Sequence, residues 1–308
     1  MRAKIKSRKR HFTGIFNEKI NPKTFFMGLD IKAIRFLLGE KARGIQFGKT
    51  LTLGRQSFYM SHQERAEISH KIKIQLFSSS FADDFLTYLA GIPSLSMDAS
   101  AYEGAQIIHD MNFPVEEKYH DSFDTIIDGG TLEHVFNFPI AIKNCMEMLK
   151  FGGSLMLMTP WHNFSGHGFY QFSPELFYST LSDANGFQLE RMLIAAEGDW
   201  YSVKNPSILN KRVEIRTDEE ILLFITARKT SKTKIFQDWP HQSDYCAAWK
   251  LGANGPSQQR LVPIYNKLFN YSMLNQLRSS WRDYKKHRAN KPRKNKALKY
   301  VCSSKEIP

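Results

Sequence analysis

Apolar and polar positions follow two different periods along residues 48–229, and the switches between them mark out the elements. Lys49-Thr50-Leu51-Thr52-Leu53 has the two-residue alternation of a strand and stops at Gly54-Arg55-Gln56. Ser94-Leu95-Ser96-Met97, ending at Asp98, and Gln106-Ile107-Ile108-His109, ending at Asp110, are predicted strands of the same kind. Phe123-Asp124-Thr125-Ile126-Ile127 stops at Asp128-Gly129-Gly130, and a polar turn with Leu132-Glu133-His134-Val135 follows. The spacing then predicts a helix from Ile140 to Lys150, ended by Gly152-Gly153, and a strand Ser154-Leu155-Met156-Leu157-Met158 that stops at Thr159-Pro160. Phe187 to Ala195 and Glu220 to Ala227 complete the strands, with an irregular stretch between them.

Helix signals fill the gaps. Asp30 is placed to N-cap a helix whose apolar positions are Ile31, Ile34, Phe36, Leu37 and Leu38, with Gly39 at its end. Asp83 to Leu89 is closed by Gly91, with Pro93 beyond. Ser173 has the features of an N-cap before Pro174 and Glu175, and Gly186 sits where that helix would end. Residues 58–80 are ambiguous in period, and Ser78-Ser79-Ser80 marks a break. Alternating strands and helices imply an α/β, doubly wound, mostly parallel sheet. In such sheets ligands bind beyond the carboxyl ends of the strands, so the stops at Gly54, Asp98, Asp110, Asp128 and Thr159 point to one crevice.

Beyond Lys229 the pattern changes. Leu261, Ile264, Leu268, Tyr271, Leu274, Leu277, Trp281 and Tyr284 recur at spacings of three and four, which makes one apolar face of a long helix running into a basic tail. The expected organisation is therefore a basic N-terminal arm and helix (1–43), an α/β domain (44–229) and a helical, basic C-terminal extension (230–308). Such a stripe packs on its own domain, on a second copy or on a membrane surface.

The net charge of +13 changes the picture only in part. Residues 1–12 carry six cations and no acid, and residues 278–308 carry eleven cations against Asp283 and Glu306, so the body between them is close to neutral. Basic tails suit a nucleic acid or an anionic membrane surface, or serve solubility. No run of about 18 apolar residues exists, which argues against a membrane span. Cys145, Cys246 and Cys302 are far apart, with no Cys-x-x-Cys, which argues against a zinc knuckle and a disulfide framework. No metal is expected. A reducing cytoplasm fits best, with peripheral attachment to a membrane left open.

The order of motifs resembles the class I S-adenosylmethionine-dependent methyltransferases of the small-molecule branch that includes quinone-biosynthesis enzymes. The resemblance covers roughly residues 44–229. It rests on Phe123-Asp124 through Leu132-Glu133-His134-Val135, on Leu149-Lys150-Phe151-Gly152-Gly153 and Thr159-Pro160, on Gly186-Phe187 and on Ala227-Arg228-Lys229. It implies a seven-stranded, Rossmann-like sheet and S-adenosylmethionine as methyl donor. It further implies that Asp98 accepts bonds from the ribose, that Asp110 recognises the adenine amino group with Met111 and Asn112 beside the base, and that Asp128 and Gly129 border the methionine part. The first loop departs from the family pattern. It carries Gly54 alone, followed by Arg55, which would contact the donor carboxylate or obstruct the site. Gly54 and Asp98 are 44 positions apart, implying an insertion around residues 60–82.

Methyl transfer from a sulfonium is an in-line displacement that depends mainly on alignment, with a general base helping where the acceptor is a hydroxyl. Histidine suits that base, and His134, His162 and His167 all follow the fourth and fifth strands. Trp161, Phe164, Phe169, Tyr170 and Phe172 are candidates for the wall of a pocket for a small-molecule or glycan acceptor, though core packing accounts for some of them. Two other readings stay open: an RNA methyltransferase using the basic tails, and a methyltransferase fold that only binds. The RNA reading is weakened by the absence of a Pro-Pro-aromatic turn after strand four and of a lysine after strand five. A nicotinamide dehydrogenase would need a G-x-G-x-x-G after the first strand, and there is none.

Overall fold

A computed structural model describes residues 28–75, 79–252 and 271–308. The basic arm (1–12), Ser78, and Leu261, Ile264 and Leu268 of the apolar stripe lie outside the described residues. The chain opens with β1 (Gly28–Asp30), α1 (Ile31–Ala42), β2 (Thr50–Leu53), β3 (Ser57–Tyr59), α2 (His62–Ile72) and α3 (Asp83–Ala90). It continues through β4 (Leu95–Asp98), β5 (Ile107–Ile108), β6 (Phe123–Asp128), α4 (Phe138–Met148), β7 (Leu149–His162) and α5 (Pro174–Thr180). Then come β8 (Phe187–Ala196), β9 (Asp199–Val203), α6 (Pro206–Leu209), β10 (Ile221–Lys229), α7 (Ser243–Gly252), α8 (Tyr271–Ala289) and β11 (Leu298–Ser303).

The central sheet has the order β11-β9-β8-β10-β7-β6-β2-β4-β5. Five strands, β5-β4-β2-β6-β7, run parallel. The other four join by antiparallel ladders, β7-β10-β8-β9-β11. The expected sheet of seven mostly parallel strands is thus nine strands of mixed direction. Two of them were not predicted: β9, which returns from β8 across the tight turn at Glu197-Gly198, and β11. From β2 the chain builds outward to β4 and β5, then returns to the other side of β2 for β6 and β7. The order therefore reverses between β2 and β6, which is where an open α/β sheet forms its crevice.

Both faces of the parallel half are covered, and successive side chains of one strand go to opposite layers. Ile126, Leu155 and Leu157 pack with Ala141, Ile142 and Met146 of α4. Ile127, Met156 and Met158 pack on the other face with Ile34, Phe36 and Leu37 of α1 and Phe85 of α3. Burying each such side chain contributes about 1.5–3 kcal/mol. Asp30 caps α1 as its position predicts, its Oδ1 accepting from the Ala33 amide at 2.7 Å. Gly39 does not end α1. The helix runs on to Ala42, and the C-terminal Pro308 carbonyl lies so close to Gly39 that a Cβ there would stand 2.5 Å from it.

That contact belongs to a larger correction. The last residues are not a free tail: β11 pairs with β9, Arg35 donates to the Ser304 carbonyl (2.9 Å), and Arg191 bridges buried Glu40 of α1 (2.8 Å) and Pro308 (3.3 Å). A division at residue 230 would cut this strand from its sheet. Gly152-Gly153 lie inside β7 and do not end α4. The register with β6 shifts there, and a Cβ on Gly153 would stand 3.0 Å from the Asp124 carbonyl. Gly186 closes a short helical turn at residues 183–185, after α5 has already ended at Thr180. The ambiguous 58–80 region supplies β3 and α2, the latter opened by a capping box of Ser61 and Glu64. At the end of the apolar stripe, Trp281 and Tyr284 are exposed on α8. Among the described residues no helix is long and apolar enough to cross a membrane.

Candidate functional site

The turns after β2 and β6 are tied to each other across the reversal point. The Thr131 hydroxyl donates to the Leu53 carbonyl at 2.8 Å, and the Thr131 amide donates to Asp128 Oδ1 at 2.8 Å. Gln56 is buried, and its Nε2 donates to the same Leu53 carbonyl at 2.6 Å. Its Oε1 lies where a Cβ on Gly129 would stand, so any larger residue there would have to displace the Gln56 side chain. Strand β1 closes the turn from outside, with the Gly28 amide donating to the Gly129 carbonyl at 3.2 Å. The single-glycine loop is therefore braced by a glutamine side chain. Nothing in a polar Gln56 after a strand distinguishes it in sequence.

The predicted donor-side residues occupy the carboxyl ends of the strands. Gly54 adopts a positive φ of 69° and its amide donates to the Met97 carbonyl at 2.7 Å. Asp98 ends β4, and one of its carboxylate oxygens accepts from the Ser100 amide at 3.0 Å. Asp110 follows β5 and holds the Asn112 amide at 2.9 Å. Met111 is buried in the core. Asn112 is committed to Asn137, whose backbone amide it accepts at 2.9 Å, so it locks the loop after β5 to the start of α4. Arg55 is held between elements: its guanidinium pairs with Asp83 (2.5 Å), donates to the Glu103 carbonyl (3.1 Å) and lies 4.0 Å over the Phe81 ring.

Asp128 is the most unusual of them. It is fully buried, and its Oδ2 has no hydrogen-bond partner among the described residues. Burial and the Glu133 carboxylate beside it push the Asp128 carboxyl well above the usual range, against amide bonds from Thr131 and Leu132. Glu133 is buried as well, with Oε2 unpartnered. No lysine or arginine reaches either acid among the described residues.

Of the three candidate histidines, the structure brings two together. His134 and His167 meet edge to face with ring centroids 4.9 Å apart, and His167 Nε2 lies 3.6 Å from Glu133 Oε1. The loop carrying His167 is clamped onto Glu133. The Phe169 amide donates to the Glu133 carbonyl at 2.7 Å, and Gly168 (φ 72°) passes so close that a Cβ would stand 2.8 Å from that oxygen. The bond to Glu133 raises the His167 imidazole above its ordinary value, outweighing burial. His134 lies at the rim, yet enough protein surrounds its ring for burial, with His167 adding to it, to outweigh Glu133 and lower it. His162 stands apart at the end of β7, its Nε2 3.3 Å from the Thr217 carbonyl.

The aromatic loop divides in two. Phe172 is buried against Phe138 (4.5 Å) and Phe177 (5.6 Å), Tyr170 packs beside it, and Trp161 is partly buried on the same core. Phe169 is exposed and meets exposed Phe136 edge-on at 5.6 Å, while Phe164 flanks His167 at 5.6 Å. Glu133 is the site residue that motif reading passed over most easily. Its position before His134 suits a residue that caps or orients that histidine, and only the fold shows it under His167.

No protein-family model matches the chain, and no curated protein matches it. Among solved structures, the chain is similar to the Burkholderia thailandensis 1,6-didemethyltoxoflavin-N1-methyltransferase bound to 1,6-didemethyltoxoflavin and S-adenosylhomocysteine, at 12% identity and a TM-score of 0.39 over 65% of this chain and 79% of that one. It is similar to the branched-chain polyamine synthase of Thermus thermophilus in complex with N4-aminopropylspermidine and 5'-methylthioadenosine, at 13% identity and a TM-score of 0.36 over 69% of this chain and 61% of that one. A SAM dependent methyltransferase from Aquifex aeolicus is similar at 10% identity and a TM-score of 0.34, over 63% of this chain and 92% of that one.

Proposed function

We propose that this protein transfers a methyl group from S-adenosylmethionine to a small-molecule acceptor, at a hydroxyl. The observation that carries the reading is the gathering of Gly54, Asp98, Asp110 and Asp128 at the carboxyl ends of β2, β4, β5 and β6, around the point where strand order reverses. The chemistry of these acids suits the donor. Asp98 and Asp110 each hold a neighbouring amide through one carboxylate oxygen, and the other takes no bond from the described residues. Those oxygens suit ribose hydroxyls and an adenine amino group. The unpartnered Asp128 Oδ2 suits a donor that carries positive charge on its sulfonium and ammonium groups, since a buried carboxylate is costly until a cation meets it.

On the acceptor side, Glu133, His134 and His167 hold polar atoms beside the same strand ends, and Phe136, Phe164 and Phe169 supply an apolar wall for a planar or sugar-like molecule. His162 stays outside this reading, because its ring faces Thr217. Replacing Asp98 by alanine tests the donor assignment. Affinity for S-adenosylmethionine should fall by about 1.5–3 kcal/mol, the scale of hydrogen bonds to a charged group. Unchanged affinity in a folded variant would remove the ribose role.

A further inference from the structure

Glu133, His134 and His167 do more than line a wall. One ligand-capable atom from each lies within 4.8 Å of the other two, and no other such trio occurs among the described residues. We propose that these three side chains form a binding site for a divalent first-row transition-metal ion. Two imidazoles and a carboxylate are a donor set that zinc accepts with one coordination position left open, and imidazole favours zinc, iron or nickel over magnesium. Ligands at about 2.0–2.2 Å from one tetrahedral ion stand about 3.3–3.6 Å apart. The observed atoms lie within 4.8 Å of one another, so binding requires them to draw in toward the ion.

Three features set this trio apart from a chance surface cluster. Glu133 is only 2% exposed in its side chain and keeps an unpartnered buried Oε2. A second buried acid, Asp128, stands beside it with its own unpartnered oxygen, and neither has a lysine or arginine partner among the described residues. A buried carboxylate is costly unless it is paired or coordinates a metal. The third feature is rigidity. His167 is held over Glu133 by the close backbone approach of Gly168 and the Phe169 amide bond, so two of the three ligands are set by the fold.

The open position of such an ion would face the loop of Phe164 and Phe169, where it would hold an acceptor oxygen and lower its pKa. That last role rests on the methyl-transfer reading, whereas binding of the ion does not. The test is accordingly run without donor. Full-length protein, stripped with a chelator and dialysed, is titrated with zinc chloride and separately with magnesium chloride in a calorimeter. The expected result is one zinc ion per chain and no magnesium heat. His134→Ala and His167→Ala should each weaken zinc at least about tenfold, and His120→Ala, at the opposite end of the sheet, should not. Glu133→Gln, with its fold checked by circular dichroism, should weaken it likewise. Absence of zinc binding in the parent, or full affinity in both trio histidine variants, overturns the proposal. Zinc binding in a protein that does not bind S-adenosylmethionine leaves the metal site standing and removes the methyl-transfer reading alone.

Discussion

The two ends of β6 hold acids in opposite ways. At its amino end, Asp121 is bonded by Lys229 and Lys232, each at 3.0 Å, and Asp124 by Lys150 and the Lys49 amide, each at 2.8 Å. Burial pushes both carboxyls up, but those bonds outweigh it and hold them below the usual range. At its carboxyl end, Asp128 and its neighbour Glu133 are more deeply buried and have no lysine or arginine partner among the described residues. One strand and the turns flanking it thus hold acids that strengthen the fold at one end and acids that burden it at the other. The amino end needs nothing further. On the proposed function, a cation from outside the chain would complete the carboxyl end, which is what a sulfonium donor or a metal ion would bring.

The sharpest way to break this contrast is Asp128→Asn. The amide keeps an acceptor for Thr131 and removes the group that would ionise to meet a cation. S-adenosylmethionine affinity should drop by about 1.5–3 kcal/mol while the melting temperature holds or rises, because Asp128 Oδ2 has no partner among the described residues to lose. A lower melting temperature with unchanged affinity would mean that Asp128 serves the fold, like Asp121. At the other end, Lys229→Met should do the reverse. Lys229 is 8% exposed and also donates to the Leu149 carbonyl at 2.6 Å, so its loss leaves two acceptors unmet. Chemical denaturation should show a loss of about 2 kcal/mol, with donor affinity unchanged.

The pH dependence sharpens the same comparison. A carboxyl held below its ordinary value contributes stability that is fully present above the unfolded pKa of about 3.9 and is lost as pH falls through the lower folded value. The stability gap between the parent and Lys229→Met should therefore be constant at neutral pH and shrink below about pH 4. A gap that widens in acid would contradict the pairing. The smallest effect is expected from Lys150→Met. Its pair with Asp124 is 43% and 37% exposed, so no more than about 1 kcal/mol should be lost, and less in high salt.

Much of this arrangement was legible in the sequence, and the parts that were not have physical reasons. The strand stops at Gly54, Asp98, Asp110 and Asp128 could be read because buried parallel strands are short apolar runs that end abruptly in polar turns. The caps at Asp30, Ser173 and Gly91 could be read because cap chemistry is local. β11 could not. Leu298-Lys299-Tyr300-Val301 sits in a strongly basic segment, and its strand character comes from pairing with β9, some 95 positions earlier in the chain. Gly152-Gly153 misled because a glycine pair after a helix reads as a stop, whereas here it serves a register shift inside a strand. In the site, His134 and His167 were singled out by residue type and His162 equally so. Only the fold separates them, since their grouping depends on how the loop after β7 folds back onto Glu133. Gln56 gave no signal at all, because its role depends on contact with Gly129 across the reversal point.

The central claim is that the carboxyl end of the sheet binds a methyl donor, and calorimetric titration of the full-length protein with S-adenosylmethionine tests it most directly. The account predicts saturable binding of one donor per chain, with S-adenosylhomocysteine competing for the same site and Asp128→Asn weakening the donor. A folded parent that binds neither S-adenosylmethionine nor S-adenosylhomocysteine would contradict it.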